Sequence, residues 1–230
     1  ALPAYADLPL VQWDQLVVGG HEIRDGTLRE EAATLHQQSR VFTHQLLAAC
    51  QEQLAAIDQN IVPGTLWNVG QTIRELATLE IPQERTPRKV VERLQTDLTH
   101  FRDQHQLSAV VVVNLASTEP PAHEAASPAT WRETEALLEQ PDSPLPASSL
   151  YAIAALQLGM PYVNFTPSPG ATAAGIDELA RARGTCHAGR DGKTGETLLK
   201  SVLAPMFAAR NLEILSWVGR NIFGNLDGKV

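Results

Sequence analysis

"LSAVVVVNLASTEPP", Leu107 to Pro121, is the stretch on which the fold turns. Its four consecutive valines, Val110 to Val113, form an apolar run too continuous for a sheet with one wet face, so it reads as a buried, parallel strand. Small and polar groups follow at once, from Asn114 to Glu119. In open parallel sheets ligands bind outside the carboxyl ends of the strands, so this is where chemistry is expected.

Upstream, Leu16-Val17-Val18, closed by Gly19-Gly20, reads as a second buried strand. Between the two, Phe42, Leu46, Cys50, Leu54 and Ile57 mark one helix face, and Val90, Val91, Leu94, Leu98 and Phe101 mark another, with Pro87 well placed at its start. Downstream, Glu119 to Ser149 carries Pro120, Pro121, Pro128, Pro141, Pro144 and Pro146, so it reads as loop interrupted by a short helix over Trp131 to Leu138. A connection of that length over a strand end is a candidate lid. The pattern resumes with a helix from Ser148 to about Leu158, a strand at Tyr162-Val163-Asn164, the turn "TPSPGATAAG" and a helix over Ile176 to Arg183. A helical stripe then runs from Thr194 through Leu199, Val202, Leu203 and Met206, which Pro205 should kink or break, and Leu212 to Val218 looks like a strand. Alternating strands and helices predict an α/β fold with a parallel sheet.

Composition narrows the function. The 230 residues carry a net charge of −8 without a basic cluster, which argues against nucleic acid and against an anionic membrane surface. No apolar run approaches the roughly 20 residues of a membrane span. Cys50 and Cys186 lie far apart, and the histidines never fall in an H-x-H or H-E-x-x-H spacing, so neither a disulfide framework nor a metal site is expected. Small molecules and a reducing cytoplasm fit best. The chain opens on Ala1-Leu2-Pro3 with neither methionine nor signal-peptide pattern, which reads as a fragment of something longer.

The segment that looks most chemical is "GRDGKTGETLLKSVL", Gly189 to Leu203. Gly192-Lys193-Thr194 matches the end of a triphosphate loop, but the loop's first glycine would fall at His187, so the spacing fails. Two readings remain: an anion-binding turn at a helix start with Lys193 adding charge, or a capped surface turn. Asp191, Lys193 and Asp227 form the best charged constellation, although a surface ion pair would explain any two of them. Glu22, after Gly20, stands where dinucleotide-binding folds place a ribose-binding carboxylate, yet no G-x-G-x-x-G precedes it. Ser117 and Thr118, like Asn164 and Thr166, read equally as ligand contacts or as strand caps.

Four segments in order, "GGHEI", "VNLASTEP", "PYVNFTPSPGATAAGIDELA", and "GRDGKTGETLLKSVL" followed by "SWVGRNIFGNLDG", resemble the inositol-3-phosphate synthase (myo-inositol-1-phosphate synthase) family, in particular its bacterial branch. The resemblance implies a Rossmann-like, doubly wound parallel sheet, incomplete at its glycine-rich first strand, leading into a second α+β catalytic and oligomerisation domain. Residues 1–185 would be the NAD-binding domain and 186–230 the start of the second. It implies NAD as cofactor, glucose 6-phosphate as substrate, isomerisation to myo-inositol phosphate, and a cytoplasmic homotetramer. Gly20, Glu22, Leu115, Ala116, Ser117, Thr118 and Asp227 are the implied cofactor contacts, Asn164, Thr166 and Lys193 the substrate contacts, and Lys193, Lys200 and Asp191 the catalytic set. Leu198 departs from the family, standing where eukaryotic members carry a further lysine. That departure motivates a second hypothesis, a non-catalytic or truncated relative that binds a sugar phosphate or NAD and acts through assembly.

Overall fold

The computed structural model describes residues 8, 10–121, 124–192 and 195–218, without the side chain of Glu196. Lys193, Thr194 and Asp227 therefore lie outside the described residues, as do the helix start expected at Thr194 and the whole "GRNIFGNLDG" signature, residues 219–228. The chain divides into two compact units, 1–64 and 65–230.

In the first unit, β1 (Gly20–Glu22) is followed by α1 (Leu28–Ser39), α2 (His44–Ala49), α3 (Gln51–Asp58) and β2 (Ile61–Pro63). The two strands pair in parallel, Gly20 opposite Ile61 and Glu22 opposite Pro63. The start of α1 is fixed by Thr27, whose hydroxyl accepts from Glu30 N while the Glu30 carboxylate accepts from Thr27 N, a reciprocal cap. Asp58 at the end of α3 accepts from Leu28 N at 2.8 Å, closing the two helices on each other.

The second unit holds α4 (Gln71–Leu76), α5 (Pro87–Gln104), β3 (Val112–Asn114), α6 (Trp131–Leu138), α7 (Ala147–Gln157), β4 (Tyr162–Asn164), α8 (Ala174–Ala182), β5 (His187–Ala188) and α9 (Gly195–Ala209). Its sheet runs β3-β4-β5, all parallel, with Asn114 opposite Asn164 and Val163 opposite Ala188. The core is one cluster in which Val90, Leu94 and Leu98 of α5 meet Leu150, Ile153 and Leu156 of α7, with Tyr162 from the sheet and Ile176 from α8. Gln95 donates to Gln157 at 2.7 Å on the same interface. The architecture is mixed α/β with parallel strands, as the alternation of elements implies.

Several local expectations are corrected. Leu16-Val17-Val18 is neither strand nor buried, at 49%, 39% and 50% exposure: pairing begins only where Gly20 N donates to Asn60 O, and the Val18 carbonyl is held by the Asn60 side chain instead. The valine run is buried on one face only. Val110 and Val112 pack against the α5–α7 core, whereas Val111, Val113 and Leu115 alternate to the other face and are exposed, because α7, backed by α5, covers one side of the sheet. The stripe from Phe42 to Ile57 is two helices, not one; the backbone leaves helical geometry at Cys50 (ψ 6°), which ends α2 and opens α3. Of the kink or break expected at Pro205 the break does not occur, since helix α9 continues to Ala209, and Leu212 to Val218 forms no strand.

Candidate functional site

Asn114 and Asn164 terminate adjacent strands in register, so their side chains leave the sheet together at its carboxyl edge. Asn164 is 2% exposed. Its oxygen accepts from Asn114 Nδ2 at 3.1 Å, Thr166 N at 3.0 Å and Thr166 Oγ1 at 2.8 Å, and its own Nδ2 donates to Ser168 O at 2.7 Å. Thr166 Oγ1 accepts in turn from Ser168 N at 3.2 Å. With Pro167 and Pro169 supplying no N–H, these side chains satisfy a turn that the ladder has released. Both expected substrate contacts, Asn164 and Thr166, are thus buried and engaged in shaping this turn.

The loop after β3 carries four of the expected cofactor contacts. Leu115 is 67% exposed, Ala116 N donates to Asn114 Oδ1 at 3.3 Å, Ser117 is half-buried and Thr118 is exposed. The loop ends on Glu119, a buried carboxyl that accepts from Ser148 N at 2.8 Å and from the Ser148 hydroxyl, while Glu119 N donates to Ser168 Oγ at 3.0 Å. Burial pushes the Glu119 carboxyl above its usual value, against the hydrogen bonds from Ser148. Tyr162 closes the network from below, its hydroxyl donating to Ser148 O at 3.1 Å. Burial and the nearby Glu119 charge raise the Tyr162 hydroxyl well above its ordinary value, so it stays protonated. Sequence reasoning included Glu119 in the polar stretch after β3 but gave it no role, and it did not single out Ser148 or Ser168; an acid directly after small hydroxyl residues at a strand end was the available signal.

The glycine-rich turn reaches the same edge. Gly189 has φ +83°, and a Cβ there would overlap the Asn164 carbonyl oxygen, so the chain crosses the end of β4 at a distance only glycine allows. Gly192 N donates to Phe165 O at 3.2 Å, and a Cβ on Gly192 would come within 2.7 Å of the Phe165 ring. Asp191, between them, is half-buried with φ +84°. The structure therefore brings Asp191 and Gly192, which precedes Lys193, to the end of β4 that bears Asn164. Lys200 is exposed on α9, with Nζ 5.9 Å from the Trp217 ring centroid, a cation–π arrangement.

In the first unit, Glu22 ends β1 with its carboxylate turned back on the chain. Oε1 accepts from Ile23 N at 2.8 Å and Arg24 N at 3.2 Å, and Oε2 accepts from Arg24 Nη2 at 3.1 Å. Burial would raise this carboxyl, but hydrogen bonds from the Arg24 side chain and the Ile23 amide, together with the Arg24 charge, hold it below the usual range and keep it ionised. A Cβ at Gly20 would meet no atom within 4 Å. Within the first unit, an ionised, partly exposed carboxylate beside an open glycine has the acceptor chemistry that a ribose diol needs; within the second, taken by itself, the exposed loop after β3 offers hydroxyls to a dinucleotide, so each set fits a part of NAD by its own chemistry. Among the described residues no group of three or more histidine, cysteine or acidic side chains could hold a metal ion, and no helix is long and apolar enough to cross a membrane.

Residues 2–215 match the family model described as Myo-inositol-1-phosphate synthase, an NAD-binding model. Among curated proteins the chain is 30% identical to inositol-3-phosphate synthase 1 of Bacteroides thetaiotaomicron, covering 97% of this chain and 50% of that protein. It is 27% identical to inositol-3-phosphate synthase of Saccharomyces cerevisiae, covering 96% of this chain and 42% of that protein. The crystal structure of inositol-3-phosphate synthase from Caenorhabditis elegans superposes with a TM-score of 0.72 at 22% identity, over 88% of this chain and 39% of that one, which shows a shared fold. The chain spans about half the length of the curated relatives it matches or somewhat less. On the family match across 2–215, this chain belongs to the myo-inositol-1-phosphate synthase family.

Proposed function

We propose that this chain is part of an NAD-dependent isomerase that converts glucose 6-phosphate to myo-inositol phosphate. The observation that carries the reading is the meeting of three segments at one sheet edge: the loop after β3, the Asn164–Ser168 turn, and the glycine turn that leads into Lys193.

NAD supplies a hydride acceptor for carbon 5 of the open-chain sugar and returns the hydride to that carbon in the same turnover. Between those events carbon 6 would give up a proton, the resulting enolate would attack carbon 1 to close the ring, and the alkoxide formed on the carbon 1 oxygen would take up a proton, so that the closure is proton-neutral. The protein's task is to hold the chain of carbons in a reactive arrangement and to place positive charge beside oxygens that become anionic. Lys193 is assigned that charge, with Lys200 assisting and Asp191 orienting the turn. Glu22 and Gly20 are assigned to the ribose, and Leu115 to Thr118 to the nicotinamide side, with Asp227 completing the cofactor set. Asn164 and Thr166 form the sugar-side wall by holding its turn in shape. Residues 1–185 act as the cofactor-binding part and 186–230 begin the catalytic and assembly part of a cytoplasmic homotetramer.

The Lys193→Ala variant tests the assignment in the intact protein. Product formation from glucose 6-phosphate should be lost while NAD binding and the unfolding transition are retained. Turnover equal to wild type would remove Lys193 from the mechanism.

A further inference from the structure

Glu119 is a carboxyl at 9% exposure whose partners are main-chain amides and serine hydroxyls rather than a cation. A buried carboxyl is costly to keep unless what it joins is worth ordering. Here it joins three segments that carry the proposed chemistry. Its backbone closes the Leu115–Thr118 loop, and its amide reaches Ser168 of the turn after β4. Its side chain takes both the amide and the hydroxyl of Ser148 in the first turn of α7. Ser148 Oγ, while donating to Glu119, accepts from Gly170 N at 3.1 Å, so the relay returns to the turn after β4.

The direction of these bonds explains why an acid stands here. Both carboxylate oxygens accept, and the Ser148 hydroxyl can then donate to one and still accept from Gly170. A carboxamide of the same shape keeps the bond from Ser148 N but presents N–H to a hydroxyl that already accepts, leaving the Ser148 proton without its acceptor. A role confined to capping α7 would survive that exchange; the relay would not.

We propose that Glu119 is a positioning residue for the cofactor: through Ser148 and Ser168 it locks the Leu115–Thr118 loop to α7 and to the Asn164–Gly170 turn in the form that a dinucleotide meets. The inference rests on the reading that this loop contacts NAD, and it adds a residue that touches neither cofactor nor sugar.

The test uses the full chain with Glu119→Gln, Ser148→Ala and the double variant, reading amide hydrogen exchange of residues 115–118 without NAD, and NAD affinity by calorimetry. In Glu119→Gln the loop amides should exchange about tenfold faster and the NAD Kd should rise about tenfold, the scale of one to two net hydrogen bonds, with the circular dichroism spectrum unchanged. Ser148→Ala should reproduce most of both effects, and the double variant should add little to either, since the two residues act as one relay. Wild-type exchange and wild-type Kd in Glu119→Gln overturn the proposal. Should Glu119→Gln fail to fold, Ser168→Ala, which removes the acceptor for Glu119 N together with the Ser168 hydroxyl's own bond to the Glu119 carboxyl, decides by the same two readouts. Wild-type protein that does not bind NAD removes the functional reading instead, and loop exchange in the variants then judges the positioning claim alone.

Discussion

Replacing Asn164 by alanine removes an amide around which the whole carboxyl edge of the second unit is folded. Its oxygen serves Asn114 Nδ2, Thr166 N and Thr166 Oγ1, and its nitrogen serves Ser168 O. Asn114 keeps a bond to Thr166 Oγ1 at 3.2 Å, and the Thr166 hydroxyl can rotate, so those two groups recover. Thr166 N–H and Ser168 C=O sit in residues only 5% and 3% exposed. An orphaned buried group costs about 1–3 kcal/mol, so two of them at about 2 each put the loss near 4 kcal/mol. With a urea slope of about 2–3 kcal/mol/M, the unfolding midpoint should fall by about 1.3–2 M. Tryptophan fluorescence is a suitable probe, because Trp67 and Trp131 both pack against the core cluster of this unit. Asn164→Asp, which keeps the acceptors and loses the donor to Ser168 O, should fall between the two. A midpoint within about 0.3 M of wild type for Asn164→Ala would mean that the network adds no stability, and the reasoning from buried polar satisfaction would be wrong here.

Gly189→Ala should destabilise by about 2–4 kcal/mol, since it combines a strained positive φ with overlap of a backbone carbonyl that cannot swing away; thermal unfolding checks it, and a change under about 0.5 kcal/mol contradicts the close crossing. Stability should also respond to pH through Glu119. Its folded carboxyl is held above the usual value by burial, so between the ordinary carboxyl value and the raised one the folded state binds the proton more tightly than the unfolded state. That contribution is present at low pH and is lost as pH rises through the folded value. The wild-type-minus-Glu119→Gln difference in unfolding free energy should accordingly fall with rising pH from about 4.5 upward; a difference that rises would reverse the sign of the burial effect.

The long, strongly patterned elements were legible in the sequence. The stripe of Val90, Val91, Leu94 and Leu98 behind Pro87 became α5, and Trp131 to Leu138 became α6 between the stated residues. The strand at Tyr162 to Asn164 appeared as expected because an apolar pair between Pro161 and a polar turn has few other uses. Other elements gave no periodic signal. β2 and β5 span three and two residues, too short for any alternation to register. Helix α1 has no buried residue, so its only mark was the Thr27–Glu30 cap. Leu16 to Val18 misled in the opposite sense, since apolar character places a residue near a strand without saying which backbone amides will pair. At the site, position after a strand pointed to the polar clusters around Asn114 and Asn164, which end adjacent strands at the sheet's carboxyl edge. It could not distinguish a side chain facing a ligand from one consumed by its own turn. Glu119 lay in the stretch where chemistry was expected, but its burial was invisible for a related reason: whether a carboxyl is buried depends on Ser148 and Ser168, which are 29 and 49 residues away.

The central claim, that this protein oxidises and then re-reduces the same sugar carbon on NAD, is tested most directly with glucose 6-phosphate deuterated at carbon 5. The intact protein with NAD should yield myo-inositol phosphate that keeps the deuterium, with no accumulation of reduced cofactor. Deuterium released into a pool of free reduced cofactor, or NAD binding with no inositol phosphate formed, would contradict the account.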